Sequence, residues 1–118
     1  MREIEFYSTR SGRSPVEDFL AQLPEGAVVK IHAALEALRK FDRVSPTHLK
    51  KLRGTNGLWE IRVQHTGIAY RLLSFFEGSR LIVVLTAFVK KTERVPVLEI
   101  ELAHHRQRDY LNRKRQHG

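Results

Sequence analysis

Apolar residues recur with a different period in each part of the chain, and these periods predict the first elements. Residues 3–8 place Ile4 and Phe6 at alternate positions, which predicts a short, half-buried strand. Ser14 and Glu17 flank Pro15 in the pattern of a capping box, so a helix is predicted to begin at Pro15. A second helix is predicted to reach about residue 41, because apolar residues recur there at helical spacing, namely Val28, Ile31, Leu35 and Leu38.

The second half of the sequence predicts three consecutive strands and a final helix. The strands are expected at residues 58–65, 68–76 and 80–89, and their short glycine-containing links favour an antiparallel meander. Pro96 suits the start of the last helix, and residues 112–118 are expected to form a basic, frayed tail.

This order, β-α-α-β-β-β-α, predicts an α+β domain in which the helices pack on one face of the sheet. Residues 42–57 contain Pro46, Gly54 and Gly57 and are predicted to be a loop without regular structure. A length of 118 residues fits a single domain spanning 1–118.

The charge composition favours a polyanionic partner. The chain has 21 Lys and Arg against 13 Asp and Glu, a formal net charge of +8, so nucleic acid is the first candidate and an acidic protein or membrane surface the next. It has no cysteine, which excludes disulfides and thiolate metal sites and favours a reducing cytoplasm. The longest apolar run is Leu81–Leu85, too short for a bilayer span, and the first residues lead into no signal-peptide core, so neither a membrane segment nor export is expected.

Two arginines are predicted to face each other across the first hairpin. If Thr66-Gly67 is a two-residue turn, residue 65 pairs with 68, and Arg62 then lies opposite Arg71. Like charges in directly opposed positions destabilise a sheet, so an anion must compensate. Either Glu60, two residues away on the same face, or the phosphate of a ligand can do so.

Further cations lie close to this hairpin in sequence. Lys90 and Lys91 end the third strand, and a basic group that includes His48, Lys50, Lys51 and Arg53 precedes the first. We expect several of these residues to share one concave surface with the two arginines. Arginine binds phosphate through a fork of two donors and lysine acts as a point charge, a combination that suits a phosphodiester backbone.

Three motifs resemble the phage-derived HigB-type toxins of the RelE/ParE superfamily, which belong to type II toxin-antitoxin systems. These motifs are LWEIR at 58–62, YR at 70–71 and AFVKKT at 87–92, followed by Pro96, Glu99-Ile100 and Ala103. The resemblance extends over about residues 3 to 110 and implies a RelE-like fold.

The resemblance also implies an activity, partners and a site. The expected activity is a cytoplasmic, ribosome-dependent mRNA endoribonuclease that needs no metal or other cofactor. The expected partners are the ribosome, its mRNA and a neutralising helix-turn-helix antitoxin, which could form a hetero-oligomer with the chain. By position, the basic active-site surface falls on Lys50, Lys51, Arg62, Arg71, Lys90 and Lys91, of which Arg62, Arg71, Lys90 and Lys91 are expected to be catalytic. RNA contacts are expected from Lys50 and Lys51 and, from the charge of the loop and of the last helix, also from Arg53, Arg106 and Arg113.

Several alternatives stay open at the level of sequence. The proton donor is unassigned, with His48, His65 and Tyr110 as candidates, and the basic last helix could equally be an ordinary solvated helix end. A metal site is not expected at His104-His105, because adjacent helical residues point about 100° apart. The alternative function is a binding protein without nuclease activity, either a ParE-like gyrase poison or a basic nucleic-acid-binding module.

Overall fold

The computed structural model describes residues 1–117, and within them the chain forms a five-stranded sheet and three helices. This mixed architecture confirms the predicted α+β class and is compatible with a RelE-like fold. No helix in this part of the chain is long and apolar enough to cross a membrane. In chain order the elements are β1 (Glu3–Phe6), α1 (Pro15–Leu20), α2 (Glu25–Lys40), β2 (Leu49–Lys51), β3 (Leu58–His65), β4 (Ile68–Glu77), β5 (Leu81–Lys90) and α3 (Val97–His117).

The sheet has the strand order β1-β5-β4-β3-β2. Strands β2 to β5 form an antiparallel meander, as predicted for β3 to β5, and β1 is added in parallel to β5 with Glu3 opposite Leu81. The chain crosses from β1 through both early helices before it returns to form β2. As a result, β1 and β2 are the two edges of the sheet.

Strand β2 lies within the segment that was predicted to be a loop, and that prediction is wrong for Leu49–Lys51. Leu49 pairs with Ile61 of β3 and is buried, while Lys50 and Lys51 are exposed. A three-residue strand is too short to show a two-residue period, and lysines are common on edge strands because they discourage pairing with other chains. The sequence pattern therefore concealed it.

The helices cover both faces of the sheet, so the prediction that they pack on one face is wrong for α3. Alternate residues of β5 point to opposite sides: Ile82 and Val84 pack with α1 and α2, whereas Val83 and Leu85 pack with α3 through Ala103. A strand that is apolar on both sides must be covered on both sides. The position of α3 follows from this two-sided burial.

The early helices are fixed at their ends. Ser14 accepts a hydrogen bond from the Glu17 amide at 3.4 Å, which confirms the predicted start of α1. The guanidinium of Arg2 donates to three carbonyl oxygens at the end of α2, those of Leu38 at 3.0 Å, Phe41 at 2.9 Å and Asp42 at 2.7 Å. These bonds satisfy carbonyls that have no partner inside the helix.

Tyr7 fastens α3 to the other face of the sheet. It is 5% exposed and donates from its hydroxyl to Asp109 Oδ2 at 2.6 Å, and Arg113 Nη2 lies 2.9 Å from the same oxygen. Arg113 also donates to the Ser8 carbonyl, and Lys114 Nζ lies 3.2 Å from Glu77 Oε1. Residues 112–117, where the sequence predicts a frayed tail, belong to α3, and Gly118 lies outside the described residues.

The Tyr7–Asp109 bond changes the titration of both groups. Burial and then the bond to Asp109 raise the pKa of Tyr7, while the bond from Tyr7 holds the pKa of Asp109 below its usual value. A carboxyl with a lowered folded-state pKa stabilises the fold above its ordinary pKa. That contribution is lost as the pH falls through the lowered value.

We predict that Tyr7→Phe lowers the free energy of unfolding by about 2 kcal/mol at pH 7, because hydrogen bonds to charged groups contribute on that scale. Tyr110→Phe is the matched control: its hydroxyl makes only a 3.4 Å bond to Glu5, so its loss should stay below about 1 kcal/mol. Urea denaturation measures both. The difference between the two variants should shrink as the pH falls through the lowered pKa of Asp109, because the protonated carboxyl is no longer a charged acceptor; equal losses at pH 7 would contradict the anchoring role of Tyr7.

Candidate functional site

The predicted pairing of the two arginines is present in the first hairpin. Thr66 and Gly67 have φ angles of 49° and 79°, and two successive positive φ angles are typical of the two-residue hairpin turn. Arg62 of β3 consequently pairs with Arg71 of β4, which confirms the predicted register.

A single buried carboxylate compensates the opposed arginines. Glu60 is 2% exposed, and its Oε1 lies 3.4 Å from Arg62 Nε. Its Oε2 lies 3.4 Å from Arg71 Nε and 3.9 Å from Lys90 Nζ. Three cations against one carboxylate leave a local excess of two positive charges. We call these four residues the Glu60 cluster.

The register of the meander explains why these side chains meet. Glu60 and Arg62 are two residues apart on β3 and so point to the same face, while Arg71 pairs with Arg62. Lys90 pairs with Ala69, two residues before Arg71 on β4. Each of the strands β3, β4 and β5 therefore contributes at least one side chain to the same part of one face.

The cluster is held mainly by charge. Glu60 Oε2 and Arg71 Nε are both buried and have no hydrogen-bond partner within residues 1–117, although they are 3.4 Å apart. Burial lowers the pKa of Arg71, the nearby Glu60 carboxylate acts to raise it and Arg62 lowers it further. Arg71 is thus a partly desolvated cation beside a second cation, and a further anion would stabilise its charged form.

A cleft of about 260 Å³ opens beside the two arginines. This volume is below the roughly 300–1,000 Å³ of a typical small-molecule pocket, and the cleft is cationic. It suits one anionic group, such as a single phosphate, better than a whole nucleotide cofactor. Its lining residues are Thr47, His48, Arg62, Val63, Gln64 and Arg71.

The other predicted site residues of the meander are distributed over both faces. Lys50 pairs with Glu60 and is exposed on the same face as the cluster, and Lys91 follows Lys90 directly and is also exposed. Lys51 points to the opposite face, where its Nζ lies 6.0 Å from the centre of the Trp59 ring. Arg53 is exposed in the loop after β2. Lys50 and Lys51 therefore point to opposite faces of the sheet, because consecutive residues of a strand face opposite ways.

Arg106 and Arg113, which were predicted to bind RNA, anchor α3 instead of joining the Glu60 cluster. Arg106 Nη1 donates to the Leu85 carbonyl at 2.8 Å, and burial lowers the pKa of Arg106. The guanidinium carbons of both arginines lie over the Tyr7 ring, at 5.7 and 5.4 Å from its centre. The four-residue spacing of Asp109 and Arg113 was the one local signal of this role.

Of the three candidate proton donors, His48 is the one that lines the cleft. His65 lies against α2 on the opposite face, where a Cβ added to Gly26 would be 2.7 Å from its Nε2. Burial, with the neighbouring Glu5 carboxylate, raises the pKa of Tyr110 to about 12. A tyrosine with such a pKa is a poor acid or base at neutral pH.

Thr47 and Gln64 also line the cleft and were missed by sequence reasoning. Thr47 immediately precedes the β2 region, and Gln64 lies near the end of β3 on the same face as Arg62. Because the three residues of β2 show no strand period, the sequence pattern could not place the segment around Thr47 beside β3. Among the described residues, no three His, Asp or Glu side chains are grouped so as to hold a metal ion.

A comparison with protein families gives a match over most of the chain. The family model described as "Phage derived protein Gp49-like (DUF891)" matches residues 18–108, which include α2, the whole meander and the Glu60 cluster. Among curated proteins, none matches this chain in sequence.

We predict that Glu60→Gln lowers the free energy of unfolding by about 3 kcal/mol, because it leaves partly buried cations without their carboxylate. The matched control is Glu36→Gln, which breaks a surface pair with Arg39 whose side chains are 47% and 38% exposed. That change should cost far less stability, because an ion pair in contact with water contributes little to folding. Thermal or urea unfolding measures both, and similar losses would contradict the central role of Glu60.

Proposed function

The chain belongs to the Gp49-like family of phage-derived proteins, and we propose that it is the toxin of a type II toxin-antitoxin system that inhibits translation by cutting mRNA on the ribosome. Gp49-like proteins are associated with toxin-antitoxin systems. The observation that carries the nuclease assignment is the Glu60 cluster, which holds two arginines beside a small cationic cleft.

The proposed reaction is a transesterification within RNA. The ribose 2′-oxygen attacks the neighbouring phosphorus, an O2′–P bond forms and the P–O5′ bond breaks, which leaves a 2′,3′-cyclic phosphate and a free 5′-hydroxyl. The 2′-hydroxyl loses a proton and the departing O5′ gains one. Negative charge develops on the phosphoryl oxygens, and fixed cations placed at these oxygens lower the barrier.

Arg62 and Arg71 are the residues that we assign to the phosphate. Guanidinium groups bind phosphate oxygens through paired donors, and both arginines line the cleft. Glu60 positions them before RNA binds, so little reorganisation is needed during the reaction. Lys90 adds a third cation at 3.9 Å from Glu60, which raises the net charge of the cluster from +1 to +2.

We assign proton delivery to the leaving oxygen to His48. It lines the same cleft as both arginines, and histidine is the side chain whose ordinary titration lies near neutral pH. The proton acceptor for the 2′-hydroxyl is left unassigned.

Exposed cations on β2, directly after β5 and in the loop after β2 extend the proposed RNA surface. Lys50 and Lys91 lie near the cluster, and Arg53 follows in the loop after β2. Phosphate contacts from such residues raise the affinity for RNA but do not distinguish one base sequence from another. Ribosome-bound mRNA is cytoplasmic, so the proposed site of action is the cytoplasm, and the proposed partner is a neutralising antitoxin.

We predict that Arg71→Ala abolishes growth arrest when the chain is expressed alone, because removing one such electrostatic contact typically slows the chemical step by about 10²–10³-fold. Arg13→Ala is the control, since the Arg13 side chain is 78% exposed and pairs only weakly with Asp18. Circular dichroism checks the fold of both variants. Mapping of mRNA 3′ ends should show codon-phased cuts with the native chain and with Arg13→Ala; intact mRNA accompanied by DNA breaks would favour a gyrase poison instead.

We also predict that His48→Gln slows RNA cleavage by about 10²-fold or more, the usual contribution of a positioned acid or base. His32→Gln on the exposed side of α2 should leave the rate unchanged. Single-turnover cleavage of ribosome-bound mRNA by purified protein measures the two rates. Equal rates for the two variants would remove His48 from the mechanism without affecting the assignment of the arginines.

A further inference from the structure

An apolar groove of about 300 Å³ lies between α2 and β3, next to the cationic cleft. Small side chains of α2 leave room above the sheet, since alanine covers little of the surface between the two elements. The floor of the groove is formed by Ala33, Ala34, Ala37, Leu38, Val44 and Val63.

Exposed apolar side chains extend the groove at both ends of α2. Val29 and Phe41 are each 61% exposed, four residues before Ala33 and four residues after Ala37. Residues four apart share one face of a helix, so Val29, Ala33 and Ala37 form one apolar line. A continuous exposed apolar surface rimmed by polar residues is typical of a protein interaction site.

The rim of the groove is cationic and is shared with the cleft. Lys30, His48 and Arg62 border the groove, and Lys30 Nζ is held there by a 3.0 Å bond to the Gln64 carbonyl. His48, Arg62, Val63 and Gln64 line the groove and the cleft alike. A molecule that fills the groove therefore contacts an arginine assigned to phosphate binding.

Two other occupants fit the groove less well. A ribose-phosphate chain gains little from an apolar floor, since its affinity comes from charge and hydrogen bonds. A second copy of this chain carries a net charge of +8 and would bring cations against a cationic rim. An amphipathic helix that is apolar on one side and acidic at its edges complements both the floor and the rim.

We propose that the groove binds an acidic amphipathic helix of a partner protein, whose apolar side chains enter between α2 and β3 and whose carboxylates pair with Lys30 and Arg62. Because Arg62 belongs to both surfaces, binding of this helix excludes phosphate from the cleft. The proposal rests on the proposed function in one respect: the protein that carries the helix is the one that neutralises the toxin.

The test uses the full chain and two synthetic peptides of leucine and glutamate. One peptide repeats leucine at spacings of three and four residues, and the other has the same composition in scrambled order. Fluorescence anisotropy at physiological salt should show at least tenfold tighter binding of the patterned peptide, and this peptide should displace a labelled single-stranded RNA.

Two variants with equal charge separate groove binding from general attraction to a basic protein. Ala33→Arg fills the groove and should weaken binding of the patterned peptide at least tenfold. Ala21→Arg adds the same charge at the exposed end of α1 and should leave this binding unchanged. Ala33→Gln, which adds volume without charge, should also weaken binding of the patterned peptide. Both substitutions at Ala33 introduce good helix formers at an exposed position.

The proposal is overturned if the two peptides bind equally, or if Ala33→Arg and Ala21→Arg bind the patterned peptide alike. Growth arrest is scored separately with the native chain. If the native chain arrests growth but binds both peptides equally, the groove proposal is wrong and the toxin function stands. A chain that binds the patterned peptide through Ala33 but causes no arrest supports the groove and refutes the toxin function.

Discussion

The burial of Glu60 among three cations is the interaction on which the arrangement of the site depends. A carboxylate that is 2% exposed is costly unless it is paired, and its partners here come from β3, β4 and β5. Arg62 and Arg71 would repel each other in directly opposed positions, and Glu60 replaces that repulsion with attraction to a shared anion. The same contacts therefore join the strands and fix the direction of the guanidinium groups.

Two-sided burial of the sheet determines where this cluster can meet solvent. Helices α1 and α2 cover one face, and α3 covers part of the other, over residues such as Leu58, Leu73 and Phe75. Towards the other end of β3 on that second face, Arg62 and Gln64 border the cleft. The contacts of Tyr7 hold α3 in this position from more than 100 residues away in sequence. The core thus leaves one basic part of the sheet accessible.

The sequence predicted the features that depend on local counting and missed those that depend on distant contacts. The turn at Thr66-Gly67 fixed the register, so the pairing of Arg62 with Arg71 could be derived before the structure. Strand β2 was hidden because three residues carry no period, so the opposite orientations of Lys50 and Lys51 could not be predicted. Arg106 and Arg113 were predicted at an RNA surface from the charge of the last helix, and their contacts with Leu85 and Tyr7 join residues too distant in sequence for a helical pattern to locate.

The net charge of +8 overstates how many cations are available to a polyanion. Arg2 caps α2 and Arg106 supports α3, so these arginines have structural partners. The functional excess is local, in the Glu60 cluster and in exposed residues such as Lys50 and Lys91. Charge alone attracts RNA and acidic proteins alike. Discrimination between them must come from shape and polarity: the small cationic cleft suits a phosphate, whereas the apolar groove beside it suits leucine-like side chains, and Arg62 couples the two surfaces.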